Sequence, residues 1–506
     1  MTAKAITLLL ACALTAPALA QTEHTPLFGK HKAKAVAQPA VQPVAPLAAP
    51  PAPAPVVAEP APVAAEIPAP PPAEVAAVPA GPIGIEQLRA AYAFALPVYE
   101  MMRTRYLQVS KAESAGAPGV NHLYARTVLA DAKTRDVTTP NNDTLYSSAW
   151  LDLAGGPVIL DMAALPKRYH SAALMSLFTD NVAIVGTRTG GKGGRYLIAG
   201  PGWNGTAPAN TTVLRSPTND AWLLVRVLVD GPTDLAAATG LIRGFTLEVP
   251  ADHAAPVATK AVPVSVPDAA TLIAVVDEAL ARSPLAHTVR TRPELAALGI
   301  TSDAIDPASV RPATMALWTK SLPALRAEIK GGLGKAGNEV DGWSYPGANI
   351  GHYGESDDAD RARVALGGLG ALPQTEAIYL TATKDKTGAP LSGAKAYTVH
   401  LPGQLPVGAF WSLTMYQADA AGRLFFVDTP SKRFAVGDRT PELRAERDGG
   451  YDIFVQPAAP SGERVVNWLP SPKGPFRLIF RAYLPKAGFL DGSFKLPPVE
   501  ATEVIP

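Results

Sequence analysis

Cysteine is nearly absent: Cys12 is the only one in 506 residues. A single thiol excludes any internal disulfide. If Cys12 leaves with a leader, thiol catalysis and cysteine-ligated zinc are excluded as well. An excess of either charge is also missing, with 45 Lys+Arg against 44 Asp+Glu. No dense basic stretch occurs in the body, so recognition of nucleic acid through its phosphates has no footing. No apolar run after the N-terminal stretch is long enough to cross a bilayer. The chain carries no G-x-S-x-G elbow, no H-E-x-x-H, no P-loop and no calcium loop. Its eight histidines are scattered singly, His24 and His31 near the N-terminus and His170, His352 and His400 among those of the body. None has a second histidine or a carboxylate at ligand spacing, so neither metal nor cofactor is expected.

What is present begins with an export pattern. Lys4 supplies a positive start, Ile6 to Leu10 and the following Ala and Leu residues form a short apolar stretch, and Ala18-Leu19-Ala20 fits a leader cleavage site. The sequence therefore predicts a signal peptide over 1–20, a mature chain from Gln21 and a periplasmic or secreted location. An alternative stays open, because Leu9-Leu10-Ala11-Cys12 resembles a lipobox that would leave Cys12 lipidated. Residues 21–82 are dominated by Pro, Ala, Val and Gln from Ala35 onward. Repeated Ala-Pro cannot build a packed core and favours extended polyproline backbone. Such a linker reads equally as a disordered tail or as a spacer, which at ~3.1 Å per residue could reach on the order of 100 Å.

The body divides into an N-terminal β-rich unit at 83–255, a helical connector and Gly-rich loop at 256–354, a second β-rich unit at 355–498 and a tail at 499–506. Leu88, Tyr92, Ala95, Tyr99, Met102 and Tyr106 recur at helical spacing, with Pro97 expected to kink the helix. Strands are predicted at Leu174 to Phe178, Val182 to Thr187, Arg195 to Ala199 and Trp222 to Val229. Helices follow from Asp268 to Arg282 and from about Pro307 to Lys330. A second strand set covers Tyr397 to Leu401, Phe410 to Gln417, Leu424 to Val427, Tyr451 to Val455 and Arg477 to Leu484. In the last of these Leu478, Phe480, Ala482 and Leu484 share one face, and Arg477, Ile479, Arg481 and Tyr483 share the other. That alternation fits a half-buried strand of a sandwich or jelly roll. Gly190 to Gly194 lacks the spacing of a phosphate loop and reads as a hairpin loop between Thr187 and Arg195. Lys386-Thr387-Gly388 and Ser392-Gly393-Ala394-Lys395 are fragments of a penicillin-binding pattern in the wrong order, and read as turns.

Two polar-aromatic clusters are the informative part. In Thr139-Pro140-Asn141-Asn142-Asp143-Thr144-Leu145-Tyr146 the Asx residues after proline are turn formers, followed by a strand that carries Trp150. In Asn467-Trp468-Leu469-Pro470 a tryptophan sits among prolines. With Arg168-Tyr169, Val185-Gly186-Thr187-Arg188, Gly200-Pro201-Gly202-Trp203, Arg226, Tyr397, the run Phe410 to Tyr416, Arg481, Tyr483 and Pro485, these motifs resemble a bacterial exported family. That family pairs domain of unknown function 1254 with domain of unknown function 1214. The resemblance runs from about Ile85 to Pro498 and leaves the Pro/Ala linker outside it. Where the family usually has Arg-Tyr-Tyr, this chain has Arg168-Tyr169-His170. The resemblance implies a mainly β fold with helical additions, in two β-sandwich or jelly-roll-like domains outside the cytoplasm. It implies no agreed reaction.

Three functions follow from residue types. In the first, the body binds a small apolar or amphiphilic, lipid-like molecule in a pocket. Trp150, Trp203, Trp411, Tyr416 and Trp468 would form its walls, and Asn142, Arg188, Arg226 and Asn467 its polar contacts. In the second, Asp143, Tyr146, His170 or Ser412 serve as acid, base or nucleophile of a metal-free hydrolase or lyase acting on an ester, lactone or polysaccharide. In the third, the protein is structural and attached to the cell envelope through the linker. A homo-oligomer is compatible with all three. The position of Asn142, Asp143, Arg188, Trp203, Trp411 and Asn467 relative to one cavity separates a shared site from folding determinants.

Overall fold

The computed structural model describes residues 83–110, 119–135, 137–262, 264–283, 293–332, 337–354, 357–420 and 422–504. The leader, Cys12, His24, His31 and the Pro/Ala stretch lie outside the described residues. The fold is mainly β with helical additions, in several sheets and without a barrel.

Nine strands form the first sandwich: β1 (Tyr124–Arg126), β2 (Thr144–Asp152), β3 (Val158–Met162), β4 (His170–Ser176), β5 (Asn181–Gly186), β6 (Gly194–Ala199), β7 (Thr211–Arg215), β8 (Asp220–Leu228) and β9 (Thr246–Glu248). One sheet runs β1-β2-β8-β4-β5 and the other β7-β6-β3-β9. Period-two alternation puts Leu145, Ala149 and Leu151 of β2 and Leu223, Val225 and Val227 of β8 into the core between the sheets, against Val158 and Leu160 of β3. The Gly190 to Gly194 segment is not a hairpin loop. Strands β5 and β6 lie in different sheets, so this segment carries the chain from one layer to the other.

The second sandwich contains β10 (Glu339–Val340), β11 (Trp343–Ser344), β12 (Ala377–Ala382), β13 (Ala396–Leu401), β14 (Val407–Ala418), β15 (Leu424–Phe425), β16 (Ala435–Gly437), β17 (Tyr451–Gln456), β18 (Trp468–Pro470), β19 (Arg477–Pro485) and β20 (Val499–Thr502). Its large sheet runs β10-β11-β12-β19-β14-β15 with β16 also on β14, and its small sheet runs β18-β17-β13-β20. Leu478, Phe480 and Ala482 of β19 meet Val399, Ile453 and Val455 between the two sheets. The Gly-rich stretch before the second unit is more than loop, because β10 and β11 pair within it. At the penicillin-like fragment, Asp385 Oδ1 accepts the Thr387 backbone N–H at 2.9 Å and Gly388 has φ +83°, which makes it a tight turn.

Five longer helices accompany the sandwiches, most of them packed together against Trp150, Met175 and Trp222 at one part of the first sandwich's larger sheet. They are α1 (Ile85–Arg105), α2 (Leu235–Ile242), α3 (Ala269–Arg282), α4 (Pro312–Gly331) and α5 (Asp358–Gly368). Of these, α2 packs instead into the first sandwich's own core through Ala238 and Ile242. Helix α1 runs unbroken through Pro97 to Arg105 and is buried on nearly every side, packed against α3, α4 and α5. Asp268 caps α3, accepting the Thr271 N–H at 2.7 Å.

Within α3, Asp277 is wholly buried, and its Oδ1 accepts the Thr301 N–H at 2.7 Å while Oδ2 has no partner. Burial first, and then the nearby Asp303, push its carboxyl up to about 7 from an ordinary 3.8. Between those values the native state holds a proton that the unfolded chain has released, so stability falls as pH rises through this window. Asp277→Asn is expected to raise the unfolding free energy at pH above 7, by an amount of order 4 kcal/mol at the limit of the shift. The same substitution should flatten the pH dependence of thermal unfolding between ~4 and ~7. A slope unchanged by the substitution would assign the dependence to another group.

Candidate ligand cavity

The outward faces of the two larger sheets, one from each sandwich, share a cavity of about 330 Å³. The alternation that sends one set of side chains into each sandwich core sends the other set here. From the first sandwich come Tyr146 and Ser148 of β2 and Trp222, Leu224 and Arg226 of β8. From the second come Tyr379 and Thr381 of β12 and Arg477, Ile479, Arg481 and Tyr483 of β19. Strand β19 is therefore covered on both faces rather than half-buried. Its polar-looking face is a cavity wall, not a solvent face. Val128, Leu129, Val137, Ile350, Val364 and Leu369 supply further apolar lining from the connecting segments and α5.

The lining is rich in cations. Arg126, Arg226, Arg363, Arg477 and Arg481 stand against one carboxylate, Asp360, which is paired with Arg363. Arg226 is 4% exposed, and its Nη2 donates to the Gly370 carbonyl at 3.0 Å while Nη1 has no partner. Its guanidinium carbon lies 5.4 Å from the centre of the Tyr146 ring. Gly370 has φ +85°, a left-handed backbone that suits glycine, and a Cβ there would meet Trp222 at 3.4 Å. Arg481 is 3% exposed and donates only to neutral oxygens, Thr414 Oγ1 at 3.0 Å, Tyr416 OH at 2.6 Å and the Thr139 carbonyl at 3.4 Å. Arg477 is half-buried, and burial alone lowers its guanidinium from the ordinary value. Burial raises the phenols of Tyr379 and Tyr483, so both stay protonated at neutral pH. Asn141 donates to the Tyr483 hydroxyl at 2.6 Å across the seam between the sandwiches.

Among the candidate binding residues, Arg226 lines the cavity, and so does Tyr146 from the candidate catalytic set. Tyr416 stands behind the wall, holding Arg481 and donating to the Pro140 carbonyl. Asn142 donates to the carbonyl of Ala130, a lining residue, at 2.6 Å. The others lie elsewhere. Trp150 stacks on Trp222 at 4.8 Å and donates to Gln108 at 2.9 Å. Trp203 is in a loop beneath Arg215. Trp411 packs on Phe480 inside the second sandwich. Asn467 bonds both the N–H and the C=O of Arg444, and Trp468 donates to the Gln456 carbonyl. Arg188 lies 3.6 Å from Glu376, which also accepts from Tyr169 OH at 2.7 Å.

Two catalytic candidates far apart in sequence do meet. Ser412 Oγ donates to Asp143 Oδ2 at 2.7 Å, while Arg439 donates to Asp143 Oδ1 at 2.8 Å. Both oxygens of Asp143 are thus engaged, and Ser412 and Asp143 are buried at 0% and 7% exposure. The trio joins the two sandwiches. His170 is wholly buried, with Nδ1 facing the Arg168 carbonyl at 3.0 Å and Nε2 unpartnered, and burial lowers its pKa. None of these three lines the cavity.

Most of the lining was not placed in a site by sequence reasoning, Tyr379, Arg477, Arg481 and Tyr483 among it. The signal for three of them was present in the alternation of β19, whose second face carries two arginines and a tyrosine around Ile479. Strand β12, which brings Tyr379, was not anticipated.

The architecture defines a class: two β-sandwiches in one chain that enclose a cavity between their facing sheets. Two family models match in that order, protein of unknown function DUF1254 over residues 120–249 and protein of unknown function DUF1214 over residues 376–487. The chain carries both domains, the first supplying β1 to β9 and the second most of the large sheet on the other side of the cavity. Among solved structures, the VPA0106 protein from Vibrio parahaemolyticus is similar. It is 22% identical, with 83% of this chain and 100% of that chain covered and a TM-score of 0.63, a likeness of fold. An uncharacterized protein from Burkholderia cenocepacia aligns over 84% of this chain and 91% of that chain, at 12% identity and a TM-score of 0.41. No curated protein matches the sequence.

Proposed function

We propose that the protein binds a small amphiphilic molecule in the cavity between its two sandwiches. The observation that carries this reading is a space of about 330 Å³ that combines an apolar lining with buried guanidinium groups. Ligand sites are typically clefts of this size or larger, mostly apolar, with a few polar groups that fix orientation. A cavity that served only as a packing defect would not keep two buried cations on its wall, because each costs several kcal/mol unless matched. The hydrolase or lyase reading gains less, since Asp143, His170 and Ser412 are sealed away from the cavity.

Filling the space tests the proposal without touching the arginines. Thr381 faces the cavity from β12, between Leu380 and Ala382, which face the core. Thr381→Phe is expected to leave thermal unfolding nearly unchanged and to weaken uptake of an amphiphile about tenfold or more. Fluorescence titration of the purified protein with a fluorescent fatty-acid analogue would measure it. Equal uptake by both proteins would place the ligand elsewhere.

A further inference from the structure

We infer that the molecule bound in this cavity carries a carboxylate head, held at the deep end by Arg226 and Arg481. This rests on the cavity reading above. Both guanidinium groups are at least nine-tenths buried, and among the described residues no carboxylate lies within ion-pair distance of either. The acids nearest in effect have other partners. Glu376 accepts from Tyr169 through one oxygen, while its other oxygen lies 3.6 Å from Arg188 and makes no hydrogen bond; Asp143 is held by Ser412 and Arg439.

A buried charge surrounded by neutral acceptors is an unbalanced arrangement, and an incoming anion balances it. Arg226 Nη1 is the donor left over. The phenol of Tyr483, which burial keeps protonated and uncharged, lines the same cavity as both arginines. The donors available there are few and match a planar two-oxygen head better than the three oxygens of a phosphate. Along β19, Ile479 separates Arg481 from Arg477, so the chain of the ligand passes apolar surface as it leaves the head. Arg477 is four residues away on the same face, roughly 13 Å along the strand, and half-exposed. It marks the outer end.

Calorimetry on the purified protein with octanoate, laurate and palmitate, beside the matched alcohols and alkyl phosphates, tests the inference. The carboxylates are expected to bind about 10- to 100-fold more tightly than the alcohols, and Arg226→Met to erase that preference. Arg477→Ala should leave the preference in place. Alcohols binding as well as carboxylates would overturn the head assignment while keeping the cavity reading. Alkyl phosphates binding most tightly would overturn the carboxylate, and loss of selectivity in Arg477→Ala alone would overturn its position. Binding of no amphiphile at all would sink both readings. Should Arg226→Met fail to fold, the wild-type ranking of the three heads still decides.

Discussion

Replacing Arg282 with methionine is expected to lower the stability of the body by about 3–5 kcal/mol. Arg282 ends α3 and reaches two carboxylates of the first sandwich, donating to Asp220 at 2.7 and 3.0 Å and to Asp152 at 2.7 Å. Both acids are 2% exposed. The other cation near them, Arg105, stands 3.8 Å from Asp220, beyond hydrogen-bond distance, and does not grip the two acids as Arg282 does. Removing Arg282 would strand two negative charges at 2.7 Å donors that no longer exist, and the cost is that of uncompensated burial rather than of one bond. Urea unfolding followed by tryptophan fluorescence measures it. Arg282→Lys should recover part of the loss, since it keeps the charge but not the fork that grips both acids. An Arg282→Met midpoint equal to wild type would show that the cluster is hydrated and carries little.

The opposite sign is expected at Arg226. Arg226→Met should raise the stability of the ligand-free protein by about 1–4 kcal/mol, the range seen when buried charges are replaced by apolar side chains of similar volume. The substitution gives up the 3.0 Å bond to Gly370 and the packing over Tyr146, and removes a cation whose Nη1 is unpartnered. Stability gained by deleting a polar group on a cavity wall is the signature of a residue kept for binding. Thermal unfolding of both proteins, each stripped of bound lipid by organic extraction or refolding, supplies the comparison. A strong loss of stability would reassign Arg226 to the framework. The contrast between Arg282 and Arg226 is informative because both are buried arginines on the first sandwich. One is matched by two acids and the other by one carbonyl.

Much of the fold was legible from periodicity. The paired runs at Trp222 to Val229 and Arg477 to Leu484 alternate cleanly, and they become β8 and β19. The helix from Leu88 was legible for the same reason. Strand β3, Val158–Met162, was not, because a short apolar run after Gly155-Gly156-Pro157 carries no alternation to detect. Strand β12 was missed although it pairs with β19 over its full length. The site was legible only by halves. Arg226 and Tyr146 were singled out from residue type, and the arginine-bearing face of β19 was noted as a pattern. What joins them is the apposition of two sheets whose strands are some 250 positions apart (481 − 226), so that Arg226 and Arg481 line one cavity. No local signal carries that. The tryptophans misled for a related reason. Trp150, Trp411 and Trp468 have the same composition signal as a ligand wall, yet each finds its partner within the protein.

The placement of the cavity bears on heredity as well as on chemistry. Its walls come from β2 and β8 on one side and β12 and β19 on the other, and the bonds from Asn141 to Tyr483 and from Ser412 to Asp143 close the seam beside it. Neither sandwich holds half a pocket that could work at lower efficiency; each holds one wall. A gene that lost either module would lose the whole site at once, and a module moved alone into another protein would arrive with an unmatched apolar surface.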